Sequence, residues 1–186
     1  VLCLCSIPVG GQHVTNDIAV GLRTSIDVAE GVKKAYGHAV SGDVQKKTHI
    51  SLEEFGVHED IEQKYLAQII EARMEELFGF VDKELQRIGK SGQLPSGVVL
   101  TGGGAALSGS VELARSVLRL PASLGYPVDI VSSTDRGMDI SFTGAIGLLR
   151  WGAFSASRPR FASKQWIKTV DHVVGSIKKM FQSLLP

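Results

Sequence analysis

Cysteine is nearly absent from this sequence, which has two in 186 residues, Cys3 and Cys5. With no second pair there is no disulfide framework, and a Cys-x-Cys spacing is not that of a zinc site. The two thiols share a face of an expected strand and are expected as buried free thiols in a reducing compartment. His38, His49, His58 and His172 also lack ligand spacing, so no metal site is expected on these residues. Long apolar runs are missing: none approaches the roughly 18 residues that a membrane-spanning helix needs. The glycine-rich stretches lack the Lys-Ser/Thr ending of a phosphate-binding P-loop and the spacing of a dinucleotide fingerprint. There is no internal repeat and no low-complexity tract.

What is present is ordinary globular material, 44% hydrophobic and 21% charged, long enough for one medium domain or two small ones with a sizeable core. The formal charge of +1 hides an asymmetry. From Arg158 onward, Arg158, Arg160, Lys164, Lys168, Lys178 and Lys179 face one acid, Asp171, so the preceding body is net acidic. A basic tail on an acidic body points to an anionic partner for the tail. The first residues, Val-Leu-Cys-Leu-Cys-Ser-Ile-Pro-Val, are apolar without a basic leader or small-residue cleavage site, so a signal peptide is not expected. The chain begins without Met and within a strand-like run, which is the expectation for a fragment whose amino-terminal part is missing.

The pattern predicts a strand over 1–9, ending at Pro8 and Gly10-Gly11. A helix is predicted over 12–22, with Val14, Ile18 and Leu22 at helical spacing. Thr24 or Ser25 should cap a second helix carrying Ile26, Ala29, Val32 and Tyr36, stopped by Gly37. Short strands and loops follow over 38–58, including Thr48-His49-Ile50-Ser51. The longest helix is predicted over 60–88, with Ile61, Tyr65, Ile69, Met74, Leu77, Val81, Leu85 and Ile88 as its stripe. Then come a strand over 97–101, a Gly-rich turn, a helix over 108–120, a strand over 127–131 and a helix over 138–151. This succession is α/β. A polar, Pro-containing linker over 155–163 leads to a last helix over 164–185.

Three segments carry candidate chemistry. In Leu100-Thr101-Gly102-Gly103-Gly104-Ala105, glycines at the carboxyl end of a strand let a backbone approach a ligand closely, at the sheet edge where α/β ligands sit; a tight strand-to-helix turn is the alternative. In Glu30-Gly31-Val32-Lys33-Lys34, both lysines share a face with Glu30, at i+3 and i+4. A carboxylate accepts from ribose hydroxyls, and lysine stems flank a purine while their ammonium groups meet phosphate; a solvated charged helix face is the alternative. In Ile7-Pro-Val-Gly-Gly-Gln-His-Val-Thr-Asn-Asp-Ile-Ala, a Gly-Gly turn leads into a helix amino terminus, which suits an anion or merely local capping.

Taken together, in this order and spacing over about residues 7–152, these segments resemble the FtsA family of bacterial division proteins. So do Ala29-Glu30 with Lys33 and Tyr36-Gly37, Ile69-Ile70-Glu71-Ala72-Arg73, and Gly97-Val-Val-Leu-Thr-Gly-Gly-Gly-Ala-Ala-Leu. The resemblance implies the second lobe of an actin-like, ribonuclease H-like ATPase fold. The inner subdomain is expected at 1–23 and 95–154, with an inserted α+β outer subdomain at 24–94. ATP would lie between two lobes, with Gly102, Gly103 and Gly104 bordering the adenosine and α-phosphate. Glu30, Lys33 and Lys34 would match the Glu-x-x-Lys-Arg adenosine contacts of related chaperones, with Lys34 in place of Arg. The family's Asp-x-Gly-Gly-Gly-Thr-Thr-Asp phosphate loop would lie before Val1, so Mg2+ would be held by residues not in this sequence. The chain alone is therefore expected to bind nucleotide weakly and not to turn it over, and no catalytic residue is assigned to it. The outer subdomain would receive the carboxy-terminal peptide of FtsZ and contact the next subunit in a filament. Arg73 is the interface candidate there, with an intramolecular ion pair to Glu76 or a neighbour as the alternative.

The tail has its own logic. Trp166, Ile167, Val170, Val174, Ile177, Phe181, Leu184 and Leu185 recur at threes and fours, with Lys178 and Lys179 mostly opposite. This is the make-up of a helix lying in a membrane interface, where each lysine near an anionic leaflet contributes roughly 1 kcal/mol. By periodicity alone a helix docked on the body fits equally well; the flexible basic linker favours the membrane, and FtsA proteins end in such a helix. The expected protein is thus a peripheral one on the cytoplasmic face of the inner membrane, tethering FtsZ filaments and polymerising there, with no nucleic-acid partner. Another actin-like ATPase, a pilus-assembly or chaperone relative, would need no basic amphipathic end. A sugar-kinase relative would need a catalytic Asp and a sugar pocket that nothing in the sequence suggests.

Overall fold

The computed structural model describes residues 1–45, 48–58, 60–128 and 139–157. The chain divides into two units, with the boundary after Ile146. The first unit is organised around α1 (Gly11–Leu22), α2 (Ile26–Tyr36), α3 (Gln63–Arg87) and α4 (Ser110–Leu118). α3 lies against both α1 and α4, and α1 lies against α2. Along α3, Leu66, Ile70, Met74 and Phe78 follow one another every four residues and are all buried. They meet Val14 and Ile18 of α1, Ala29 and Val32 of α2, and Leu113, Ala114 and Leu118 of α4 in one apolar core. Burying each such side chain contributes on the order of 1.5–3 kcal/mol, so the four-helix core dominates the stability of this unit.

Strands are short. β1 (His49–Ser51) pairs antiparallel with β2 (Asp60–Glu62), with Ile50 opposite Ile61. β3 (Val98–Leu100) pairs in parallel with β4 (Ala122–Leu124), with α4 as the crossover between them. One further parallel bridge joins His38 to Ser108. Single 3-10 turns occupy Ser41–Asp43, Glu53–Phe55, Gly103–Ala106 and Ile140–Phe142. The described residues are therefore a mixed α/β arrangement.

Local signals set the helix ends. Ser25 caps α2, its Oγ accepting from the Val28 N–H at 3.3 Å. At the start of α1 the Gly10 N–H donates to His13 Nδ1 at 3.2 Å. α1 ends on Arg23 in a left-handed conformation, φ 51°.

Several expectations change. Residues 1–9 form no strand: a strand needs a ladder partner, and Val1, Leu2 and Leu4 are exposed. Accordingly Cys3 is only half-buried and Cys5 is exposed, and both are free. Met74 is buried as expected, but Leu66, Ile70 and Phe78 beside the expected row are the other large buried side chains of α3. Tyr65 and Ile88 are exposed, while Ile69, Leu77, Val81 and Leu85 pack at the margin of the core. Two apolar rows overlap on this helix, and Met74 belongs to both. The helix also starts later than expected, because Asp60–Glu62 is drawn into β2. β4 takes Ala122–Leu124; Pro127 and Val128 are outside any strand, and 129–131 lie outside the described residues. Helix α5 (Thr143–Ser157) carries on into the segment expected as linker. The part of the second unit that is described is the helical stretch 147–157. The expected amphipathic helix, with Trp166, Ile167, Val170, Val174, Ile177, Lys178, Lys179, Phe181, Leu184 and Leu185, lies outside the described residues.

Candidate functional site

Within the first unit, a cavity of about 730 Å³ opens where the amino end of α1, the carboxyl half of α2, the middle of α3 and the turn after β3 converge. Glu30, Lys33 and Lys34 form one wall, Gly103 and Gly104 another, and Met74, Leu77 and Phe78 an apolar floor. The volume falls in the range of small-molecule sites, roughly 300–1,000 Å³, and the lining has the usual apolar body with a few convergent polar groups. Two segments 69 or more residues apart in the sequence, Glu30–Lys34 and Gly103–Gly104, thus face one space. Gly102 does not line it; its φ of 90° turns the chain out of β3 and so aims the following glycines.

The acidic–basic wall is tightly connected. Lys33 Nζ donates to Glu30 Oε2 at 2.6 Å, to Thr15 Oγ1 at 2.8 Å and to the Gly11 carbonyl at 3.3 Å. The Thr15 hydroxyl lies 2.5 Å from Glu30 Oε2, so it donates there in preference to the Gly11 carbonyl at 3.2 Å. Lys34 Nζ reaches Glu30 Oε1 at 3.1 Å. Burial pushes the Glu30 carboxyl up, but the hydrogen bonds from Lys33, Thr15 and Lys34 and the charge of Lys33 outweigh it and bring it down to about 2. Glu30 is thus a fixed anion near neutral pH.

The glycine wall is held from behind. The Ser110 hydroxyl, buried at the start of α4, donates to the Ala105 carbonyl at 2.7 Å. Thr101 Oγ1 donates to the Gly125 carbonyl at 3.1 Å, and the Gly125 N–H donates to the Leu100 carbonyl at 2.8 Å. Ser141 sits beside Gly103, on a turn that Asp139 caps through the Ser141 N–H at 2.8 Å. A Cβ at Gly104 would meet nothing within 4 Å, so this position fronts open space.

Residue type and spacing single out Glu30, Lys33, Lys34, Gly103 and Gly104 in the sequence, but not Thr15 and Ser110. Both are hydroxyl residues turned inward on helices, and a polar residue set among core positions was the only signal available. Arg73 is elsewhere, on α3. Its guanidinium donates to Asp17 of α1 through Nε at 2.5 Å and Nη2 at 3.0 Å, and also pairs with Glu76. Its side chain remains 27% exposed. Among the described residues no group of three His, Cys, Asp or Glu side chains could hold a metal ion. No described helix is long and apolar enough to cross a membrane.

The described residues thus bring a glycine turn and a Glu-Lys-Lys wall to one cavity of an α/β protein. Residues 2–147 match the family model described as "Cell division protein FtsA", and the chain belongs to that family. It is 36% identical over 148 residues to the cell division protein FtsA of Pseudomonas aeruginosa, covering 78% of this chain and 36% of that protein. Against the Bacillus subtilis protein of the same name it is 43% identical over 123 residues, 65% of this chain and 28% of that protein. Against the Escherichia coli K12 protein it is 31% identical over 155 residues, 78% and 37% respectively. The chain spans about a third of the length of these curated relatives. Membership implies the actin-like ATPase fold, and the mixed helix and strand content accords with it.

Proposed function

We propose that this chain is the second-lobe portion of an actin-like, ATP-binding cell division protein. In this reading it tethers FtsZ filaments to the inner face of the cytoplasmic membrane and polymerises there. The family supports the division role. The observation that carries the nucleotide part is the cavity that brings Glu30, Lys33 and Lys34 opposite Gly103 and Gly104. Its residues suit a nucleoside with a phosphate. A fixed carboxylate at Glu30 accepts from ribose hydroxyls, Met74 and Phe78 offer an apolar surface to a base, and the glycine turn admits a phosphate close to the backbone. ATP, when bound, supplies the γ-phosphate chemistry; the residues of this chain bind and orient, and none is assigned to bond cleavage. Arg73 on α3 is the candidate for contact with FtsZ or the next subunit, and the segment 164–186 for the anionic membrane surface.

Titration of the chain with millimolar ATP, followed by amide NMR, tests the cavity. Shifts clustered on Gly103, Gly104 and Glu30 are expected. Absence of any shift there, or shifts confined elsewhere, overturns the nucleotide reading. Co-sedimentation with anionic vesicles, with and without residues 164–186, tests the tail. Equal pelleting of both forms overturns the membrane reading.

A further inference from the structure

We propose that the outer edge of β1 is a docking site for an extended peptide with basic side chains, taken up by strand addition. β1 and β2 form a sheet of two strands, so among the described residues each keeps one edge without a strand neighbour. The register sets which groups lie on the open edge of β1. The Gln63 N–H donates to the Thr48 carbonyl at 2.9 Å, and two residues on Ile50 stands opposite Ile61. Hydrogen-bonded pairs alternate along an antiparallel ladder. The peptide groups of Thr48 and Ile50 therefore face β2, and those of His49 and Ser51 turn outward. Outside the ladder, neither the N–H nor the C=O of His49 or Ser51 has a hydrogen-bond partner among the described residues.

β1 borders a cleft of about 340 Å³, lined by Tyr36, Glu53, Glu54 and Gln63 as well as His49 and Ser51. The wall across from β1 is held in place. The Tyr36 hydroxyl donates to Glu54 Oε1 at 2.6 Å, and Gln63 Nε2 donates to the Tyr36 carbonyl at 3.2 Å. The Tyr36 ring meets Phe55 edge-on, with centroids 6.5 Å apart. Phe55 in turn lies against Gly31 of α2, where a Cβ would come within 2.6 Å of its ring.

Charge selects the occupant. From Thr48 to Glu62 the sequence holds Glu53, Glu54, Glu59, Asp60 and Glu62, and no lysine or arginine. Glu53 and Glu54 are exposed on the cleft. Asp60 and Glu62, also exposed, stand opposite Ser51 and His49 across the ladder and so share their face of the hairpin. Like charges keep two such edges from pairing with each other, so a second copy of this hairpin is a poor occupant. An extended segment with a basic residue at every second position is the complement. Its peptide groups meet those of His49 and Ser51, and its cations fall on the carboxylates.

The probe is the blocked peptide acetyl-Lys-Val-Lys-Val-Lys-amide, titrated into the whole chain and followed by amide NMR. Shifts at His49 and Ser51, with slower hydrogen exchange of both amides, are expected. The acidic counterpart acetyl-Glu-Val-Glu-Val-Glu-amide should move neither. The fully N-methylated basic peptide keeps the charges and has no N–H to donate; it should bind about fivefold more weakly or worse, the factor for one net hydrogen bond. Ser51→Pro removes an outward N–H and leaves the ladder bonds of Ile50, so it should weaken binding by a similar factor while the melting temperature holds. Should that variant lose stability, the N-methylated peptide still decides, because it leaves the protein unaltered. No binding of the basic peptide, equal binding of its N-methylated or acidic counterpart, or shifts that bypass His49 and Ser51 would overturn the proposal.

Discussion

Asp17 of α1 and Arg73 of α3 meet through two parallel hydrogen bonds, Nε to Oδ2 at 2.5 Å and Nη2 to Oδ1 at 3.0 Å. The pair links two helices whose apolar faces already pack in the core. Two-point geometry is what a guanidinium offers and an ammonium does not. Arg73→Lys should therefore lower the urea midpoint of unfolding, and Arg73→Gln should lower it further. Combining Arg73→Gln with Asp17→Asn should cost less than the sum of the single changes, since each single change removes the same contact. Strict additivity in that cycle would show that the two side chains do not interact.

The Asp17–Arg73 contact also bears on the interface candidate. Asp17 and Glu76 use three of the five N–H donors of Arg73 and offset its charge, so they weaken its pull on an acidic partner without using up its donors. Asp17→Asn frees Arg73 from its cross-helix partner. If Arg73 docks an acidic peptide, that variant should bind an FtsZ carboxy-terminal peptide at least as tightly as the unmodified chain, while Arg73→Gln should bind it more weakly. Unchanged binding in both variants would remove Arg73 from the interface.

Acid should loosen the mouth of the cavity before it unfolds the core. The Glu30 carboxyl lies near 4.5 ordinarily and at about 2 in the folded chain. A depressed carboxylate contributes stability that is fully present above its unfolded value and is lost as pH falls through the folded one. The window is thus pH 4.5 down to 2. A third of the Glu30 side chain is exposed, so after screening the loss is about 1–2 kcal/mol rather than the full shift. Glu30→Gln should flatten the pH dependence of stability in that window, as measured by urea midpoints at pH 2.5, 3.5, 4.5 and 6, roughly the span the linkage relation covers. An identical slope in both proteins rules Glu30 out as its source.

How much of this was legible beforehand follows from where each cause sits. The ends of α1 and α2 are written locally, in Gly10-Gly11, Ser25 and Gly37, and were read within a residue or two. The 1–9 run has strand-like composition but forms no strand, because strand formation depends on a partner, which periodicity does not supply. β4 is the converse case: Ala122-Ser123-Leu124 has little β character of its own, and pairing with Val98–Leu100 makes it a strand. On the site, Glu30, Lys33, Lys34 and the glycines announced themselves by type and spacing. Thr15 and Ser110 did not, because their partners, Glu30 and the Ala105 carbonyl, belong to other elements.

Arg23 is a position where the sequence works against its own backbone. It ends α1 with φ 51°, a conformation that costs an L-residue roughly 1 kcal/mol and glycine almost nothing. Arg23→Gly should raise stability by up to about 1 kcal/mol, less the entropy glycine adds to the unfolded chain. A clear fall in melting temperature would mean that the arginine side chain contributes more than its backbone costs.

Glycines 97 and 104 separate folding from binding on the same segment. Gly97 has φ 76°, and a Cβ there would lie 2.2 Å from the Pro121 carbonyl oxygen, next to the hydrogen bond by which the Val98 N–H joins that carbonyl at 2.7 Å. Gly97→Ala must therefore both strain the backbone and push β3 from β4, at roughly 2–3 kcal/mol. Gly104 has neither problem: its φ is not positive, and a Cβ would meet nothing within 4 Å. Gly104→Ala should keep stability within about 0.5 kcal/mol, yet its methyl would occupy the cavity facing Glu30 and Lys34 and weaken ATP binding. Thermal melts and ATP titrations on the two variants should thus give opposite patterns. A stable Gly104→Ala chain that binds ATP as before would place the nucleotide away from the glycine turn.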